Sequence, residues 1–147
     1  MLYVNQKVLR DLGLTIPESY EELKAMAPKL KAAGKDVVLM GAQDDWVMQS
    51  CLYSAIVGRM LGDKYVDDLI AGKAKFTDAP FVNTLKFYKQ LYTDGVLSAK
   101  VLQTPYNEVN ALFAAGKAPF MIDGDWKVGN FLTDPTSGQA LIPPDKQ

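Results

Sequence analysis

Short apolar runs of β type, separated by helical stretches that end in glycine, restrict the fold of this chain more than any other feature. The runs are Leu2-Tyr3-Val4-Asn5, Asp36-Val37-Val38-Leu39-Met40 and Ala118-Pro119-Phe120-Met121-Ile122, with a last one, Ala140-Leu141-Ile142, cut short by two prolines. Strands that alternate with helices form a mostly parallel sheet with helical cover. The expected class is therefore α/β and helix-rich, with a small, mostly parallel sheet covered by helices.

The helical stretches carry their own start and stop signals. Residues 6–12 read as a small amphipathic turn closed by Gly13. Ser19 followed by Glu22 fits a capping box, in which each side chain satisfies the other's backbone N–H. Leu23, Met26, Ala27, Leu30 and Ala33 then follow helical spacing up to Gly34. Pro28 lies inside that pattern and is expected to kink or split the helix. Residues 46–60 read as a helix buried on most sides, and residues 63–71 as a shorter one ended by Gly72. Thr77-Asp78-Ala79-Pro80 opens a helix with Phe81, Val82, Leu85, Tyr88, Leu91 and Tyr92 on its apolar face, stopped by Gly95. Thr104-Pro105 is expected to open the next in the same way, with Gly116 as its cap. Trp126 begins a last helix reaching about residue 132.

The 147 residues show no repeat, low-complexity tract or linker, so residues 1–147 read as a single domain. A chain of this size buries roughly 70% of its unfolded surface, enough for a core. The net charge of −1 gives no electrostatic footprint for nucleic acid or an anionic membrane. No apolar run approaches the roughly 18 residues of a spanning helix, and no basic, apolar leader opens the chain. The absence of histidine removes the Ser-His-Asp triad, the Cys-His pair and the usual metal ligand. A single cysteine, Cys51, allows neither an internal disulfide nor a thiolate metal site, and its apolar neighbours mark it as a small core residue. No phosphate-binding loop, dinucleotide fingerprint or nucleophile elbow occurs. The sequence thus implies no catalytic residue, no metal and no cofactor.

In open α/β sheets, ligands bind at loops beyond the carboxyl ends of the strands. Two such loops stand out: Gly41-Ala42-Gln43-Asp44-Asp45-Trp46 and Asp123-Gly124-Asp125-Trp126. Each joins glycine and carboxylates to a tryptophan at the mouth of the next helix, and together they use both tryptophans of the chain. Sugar rings present apolar faces that lie on an indole, while their hydroxyls need acceptors and donors of the Asp or Gln kind. Trp46, Trp126, Asp44, Asp45 and Asp125 are the candidate ligand-binding residues. The simpler alternative makes Asp45 and Asp125 N-caps and the two tryptophans first-turn core residues. Asp44 or Asp45 with Asp123 or Asp125 also leaves open a glycoside-cleaving carboxylate pair, which needs a separation of about 5–10 Å.

The sequence resembles the extracellular solute-binding proteins of bacterial ABC importers, in the maltose and multiple-sugar class. Tyr3-Val4-Asn5-Gln6-Lys7-Val8-Leu9, Leu12-Gly13-Leu14 and Pro17-Glu18-Ser19-Tyr20-Glu21-Glu22-Leu23 are similar to successive segments of that family, as is Leu30-Lys31-Ala32-Ala33-Gly34-Lys35. The most specific segment is Phe113-Ala114-Ala115-Gly116-Lys117-Ala118-Pro119-Phe120-Met121-Ile122-Asp123-Gly124-Asp125-Trp126, similar to the family's F-x-x-G-K-A-A-M-x-x-x-G-x-W. Departures are Tyr20 for the usual Trp, Pro119-Phe120 for small residues or Met, Gln6 where Lys is commoner, and Pro28.

The resemblance implies a two-lobed receptor of the type II periplasmic-binding-protein kind, with ligand held between lobes and closure signalled to a membrane permease. It implies that residues 1–147 are most of the second, C-terminal lobe, with the first-lobe segments missing at both ends. It further implies a carbohydrate ligand, an extracellular or periplasmic location with a lipoprotein anchor in the full-length form, and no enzymatic activity. Trp126 takes the stacking role of the G-x-W tryptophan, Trp46 that of a second aromatic, and Tyr3 and Asn5 are structural. A lone lobe is expected to bind weakly or not at all. Two other classes remain open: a small α/β enzyme acting on glycosides through Asp pairs, and a module that self-associates through exposed lobe edges.

Overall fold

The computed structural model describes residues 1–132. The apolar runs form a three-stranded sheet in the order β1 (Leu2–Val4), β3 (Phe120–Ile122), β2 (Val38–Leu39). β2 and β3 are parallel, with Val38 opposite Phe120. β1 is antiparallel to β3, with Tyr3 opposite Met121. The helix-rich α/β class expected from the alternation is observed, whereas one of the two pairings runs against the parallel expectation. The crossover rule constrains strands joined by one connection. β1 is separated from its partner by most of the chain, so nothing local sets its direction. The run Ala140-Leu141-Ile142, expected as a fourth strand, lies outside the described residues.

Asn5 ends β1 and caps α1 (Gln6–Asp11), its Oδ1 accepting the Val8 N–H at 3.2 Å. α2 (Tyr20–Ala32) starts at Ser19, whose hydroxyl accepts the Glu22 N–H. The reciprocal half of the expected capping box differs: the Glu22 carboxylate takes the N–H of Glu18, not that of Ser19. α2 also runs through Pro28 without a split. Pro28 is exposed, so the hydrogen bond its ring removes is lost on the solvent side, where water can replace it.

After β2 the chain enters α3 (Asp45–Val47), widens into a π-helical segment, Met48–Tyr53, and continues as α4 (Ser54–Ile70). α4 is broken at Gly62, whose φ of 74° and ψ of 168° give the boundary expected between two helices. α5 (Ala79–Thr93) opens with the expected early proline, but its buried face differs from the one read in the sequence. Thr84 is fully buried and Leu85 is exposed. The threonine is accommodated because its hydroxyl donates to the Phe81 carbonyl at 2.7 Å and meets the Tyr53 hydroxyl at 2.8 Å. Thr104-Pro105 does not open a helix. A 3-10 turn, Ala99–Gln103, precedes it and α6 (Val109–Ala114) starts only later. The last segment is also a 3-10 turn, Asp125–Asn130, shorter than the helix expected there.

The core divides at the sheet. Leu30, Val38, Met40, Val47, Leu97 and Phe120 belong to the larger cluster. Leu39, Val109, Phe113, Ala118 and Met121 form the smaller one. The alternation along β3, with Phe120 in one cluster and Met121 in the other, is the period of two that a strand imposes. The carboxyl ends of β2 and β3 lie side by side, and the loops leaving them carry both tryptophans.

Candidate aromatic ligand platform

The loop after β2 is held down along its length. Ala42 N–H donates to the Val101 carbonyl at 3.0 Å and Gln43 N–H to the Thr104 carbonyl at 3.1 Å. Gly41 allows this approach: a Cβ there would lie 2.6 Å from the Tyr106 Cα. Asp44 precedes α3 but makes no cap with its side chain; its carboxylate accepts the Tyr106 N–H at 3.0 Å. Asp44 is therefore a strut between two segments, and it places Tyr106 against Trp46.

Three aromatic rings meet at this point. The centroids of Trp46 and Tyr106 are 4.9 Å apart and those of Trp46 and Trp126 are 5.9 Å apart. The Trp126 indole donates its Nε1–H to the Tyr106 hydroxyl at 2.6 Å. The two tryptophans are brought together as the sequence reading expects, and both remain open to solvent, 41% for Trp46 and 56% for Trp126. They are not core residues. Asp45 and Asp125 are exposed beside them in the chain. Neither acts as an N-cap: the cap positions are Asp44 and Gly124.

Beneath the rings lies a buried ion pair. Asp123 is fully buried and Lys127 is 4% exposed, with Nζ 3.7 Å from Asp123 Oδ2. Lys127 Nζ also sits 3.5 Å from the centroid of the Tyr106 ring. Asp123 Oδ1 accepts the Gly124 N–H at 2.7 Å and faces the Tyr106 hydroxyl at 3.5 Å, while Oδ2 has no hydrogen-bond partner among the described residues. The Cys51 thiol lies 4.0 Å from Oδ1. Burial, and then the Asp123 charge, push that thiol upward from its ordinary value. Cys51 is thus a protonated, buried residue, as its neighbours imply. Burial likewise raises Tyr106, with the Trp126 hydrogen bond opposing, and raises Tyr3, with the Asp123 and Asp125 charges adding to it. Both phenols stay protonated at neutral pH and act as donors.

Tyr106, Asp123 and Lys127 were not among the sequence candidates for ligand binding. Asp123 reads from the sequence only as part of the strand-end loop and of the possible carboxylate pair. Tyr106 falls in a stretch that reads as a helix start, and a lysine reads as surface. Of the carboxylates that left a glycoside-cleaving pair open, Asp44 is engaged by a backbone N–H and Asp123 is buried against Lys127. Among the described residues no group of His, Cys, Asp and Glu is arranged to hold a metal ion. No helix among them is long and apolar enough to cross a membrane.

A groove of about 700 Å³ lies away from the tryptophans, between the end of α2 and residues 93–100. Its lysines are mostly engaged: Lys24 with Asp94 at 3.1 Å, Lys100 with Asp36 at 3.3 Å and Lys35 with the Gly116 carbonyl at 2.6 Å. These contacts tie elements of the fold together.

A family described as bacterial extracellular solute-binding protein matches residues 1–145. Among solved structures, one from work on xylan utilization by the thermophilic bacterium Caldanaerobius polysaccharolyticus is similar with a TM-score of 0.80 and 24% identity, over 92% of this chain and 34% of the other. A chitin oligosaccharide binding protein is similar with a TM-score of 0.76 and 28% identity, over 93% and 34%. RafE from Streptococcus pneumoniae gives a TM-score of 0.65 and 20% identity, over 87% and 34%. The chain thus spans about a third of the length of these structures. No curated protein matches it.

Proposed function

The chain belongs to the bacterial extracellular solute-binding proteins, and from that premise we propose that it is the second lobe of a carbohydrate receptor serving an ABC import permease. The observation that carries this reading is the cluster of Trp46, Trp126 and half-buried Tyr106, in which the two exposed tryptophans leave the carboxyl ends of β2 and β3 and Tyr106 comes from a third segment. Aromatic faces held rigidly and left open suit the apolar face of a pyranose. Asp45 and Asp125 stand at the rim as acceptors for hydroxyls. Similar structures include a chitin oligosaccharide binding protein, and RafE has been solved with raffinose. Members of this family and these neighbours bind solutes and are not enzymes. In the full-length protein we place the missing lobe over the platform and a lipoprotein anchor ahead of it. Without that lobe, copies of this chain would associate through its exposed lobe edges.

One lobe supplies part of the contacts, so affinity for an oligosaccharide is expected on the order of millimolar. The test is an NMR titration of the two indole N–H signals with raffinose, stachyose, chitotriose and xylotriose. Both signals are expected to move together with one of these sugars, and Trp46→Ala or Trp126→Ala to abolish the response of the remaining indole. Nanomolar binding by this lobe alone would overturn the half-site, and silence of both indoles toward every sugar in a chain that carries both lobes would overturn the carbohydrate reading.

A further inference from the structure

The Gly124 peptide is gripped from both sides. Its N–H donates to Asp123 Oδ1 at 2.7 Å, and its carbonyl accepts the Tyr3 hydroxyl at 2.6 Å. The Trp126 ring lies directly over its Cα, so closely that a Cβ at Gly124 would collide with the six-membered ring. Tyr3 belongs to β1, and the ladder of β1 with β3 extends one step past the strands: Asp123 N–H donates to the Met1 carbonyl at 3.2 Å and the Met1 amine to the Asp123 carbonyl at 2.6 Å. The other bond to the Gly124 carbonyl, from Lys127 N–H, is long at 3.4 Å.

We infer that Tyr3 is a positioning residue for the ligand platform: its hydroxyl fixes the Gly124 peptide, and that peptide seats the Trp126 indole. Tyr3 acts through Gly124, on which Trp126 rests, and through Trp126 on Tyr106, which receives the indole N–H. Burial keeps the Tyr3 phenol protonated, so the clamp persists at neutral pH. Any force on β1 is then felt at Trp126, and occupancy of Trp126 is felt at β1 with the same coupling free energy. The ligand half of this inference rests on the carbohydrate reading above; the positioning half does not.

The variant is Tyr3→Phe, which keeps the ring packed on Phe131, whose centroid is 5.6 Å away, and removes only the hydroxyl. The readout is the pair of indole N–H signals, recorded first without sugar. The Trp126 signal is expected to shift and to exchange faster with solvent, the Trp46 signal to change less, and the thermal midpoint to change little. Loss of one neutral hydrogen bond corresponds to a roughly 2- to 10-fold weaker response to whichever of the four sugars the wild type binds. A Trp126 signal identical to wild type overturns the positioning role. A shifted Trp126 signal with unchanged sugar affinity overturns its bearing on the ligand. Failure of a wild-type chain carrying both lobes to respond to any sugar would instead refute the carbohydrate reading, while the sugar-free spectra of this lobe still decide whether Tyr3 seats Trp126.

Discussion

Removing Lys127 and Asp123 together should damage the fold much less than the sum of removing each alone. The two groups face each other at 3.7 Å with side chains 5% and 0% exposed. At that separation, with an effective dielectric near 20, their direct attraction is about 4.5 kcal/mol. Desolvation of a buried ion costs several kcal/mol, so the intact pair contributes little net stability. Breaking it is different, because the survivor keeps its desolvation cost and loses its partner, a loss of about 3–5 kcal/mol.

Lys127→Met preserves the aliphatic stem beneath Tyr106 and is expected to lose about that much. Asp123→Asn leaves a buried ammonium and should fall in the same range, lessened because an amide oxygen can still accept from Gly124. The double variant should lose much less than the sum of the two, giving a coupling of at least about 2 kcal/mol. Urea unfolding followed by far-UV circular dichroism measures all four proteins without relying on the tryptophans of the platform. Single losses that simply add in the double variant, within about 0.5 kcal/mol, would show that the two charges do not depend on one another and would refute the argument.

Two further outcomes follow from contacts elsewhere. Tyr20 donates to Asp94 at 2.7 Å, and with Lys24 and Gln90 it holds that carboxyl below its ordinary value. A depressed folded-state value stabilises above the unfolded pKa of about 3.9 and is lost as pH falls through the folded value. Tyr20→Phe should therefore be less stable than wild type at neutral pH and converge on it in acid; a constant gap across thermal melts at all pH values would refute this. Gly41→Ala puts a Cβ 2.6 Å from a backbone atom of Tyr106. It should lose about 1–3 kcal/mol and alter tryptophan emission through the displaced Tyr106, whereas an unchanged midpoint and spectrum would refute the close approach.

The parts of the site legible in the sequence are those set by residue type and strand-end position. Trp46 and Trp126 stood out because tryptophan is rare and each follows glycine and aspartate after an apolar run. What holds them in place was not legible, because it depends on contacts between distant segments. Asp44 reads as a carboxylate facing a ligand but braces Tyr106, 62 residues away. Thr84 reads as polar, yet it is buried because Tyr53 and Phe81 supply its hydrogen bonds, and this rotates the buried face of α5 away from Leu85. Lys127 carries a charge, and the fully buried Asp123 together with the Tyr106 ring makes its burial tolerable. The direction of β1 was likewise beyond a local pattern, since its partner lies at the far end of the chain.

This hidden framework bears on how the platform would recognise a sugar. The Trp126 N–H is spent on Tyr106, the Asp44 carboxylate on the Tyr106 N–H, and the Gly124 N–H on Asp123. Hydrogen-bonding capacity beneath the rings is thus turned inward, where it fixes their geometry. Under the proposed reading a ligand meets ring faces, with Asp44, Asp45 and Asp125 exposed beside them. Stacking discriminates poorly among pyranoses because their apolar faces are alike, whereas discrimination comes from hydroxyls meeting buried, convergent polar groups. Under the proposed reading, this lobe supplies a rigid seat with broad tolerance, and the choice among sugars falls to the acidic rim and to the lobe that closes over it.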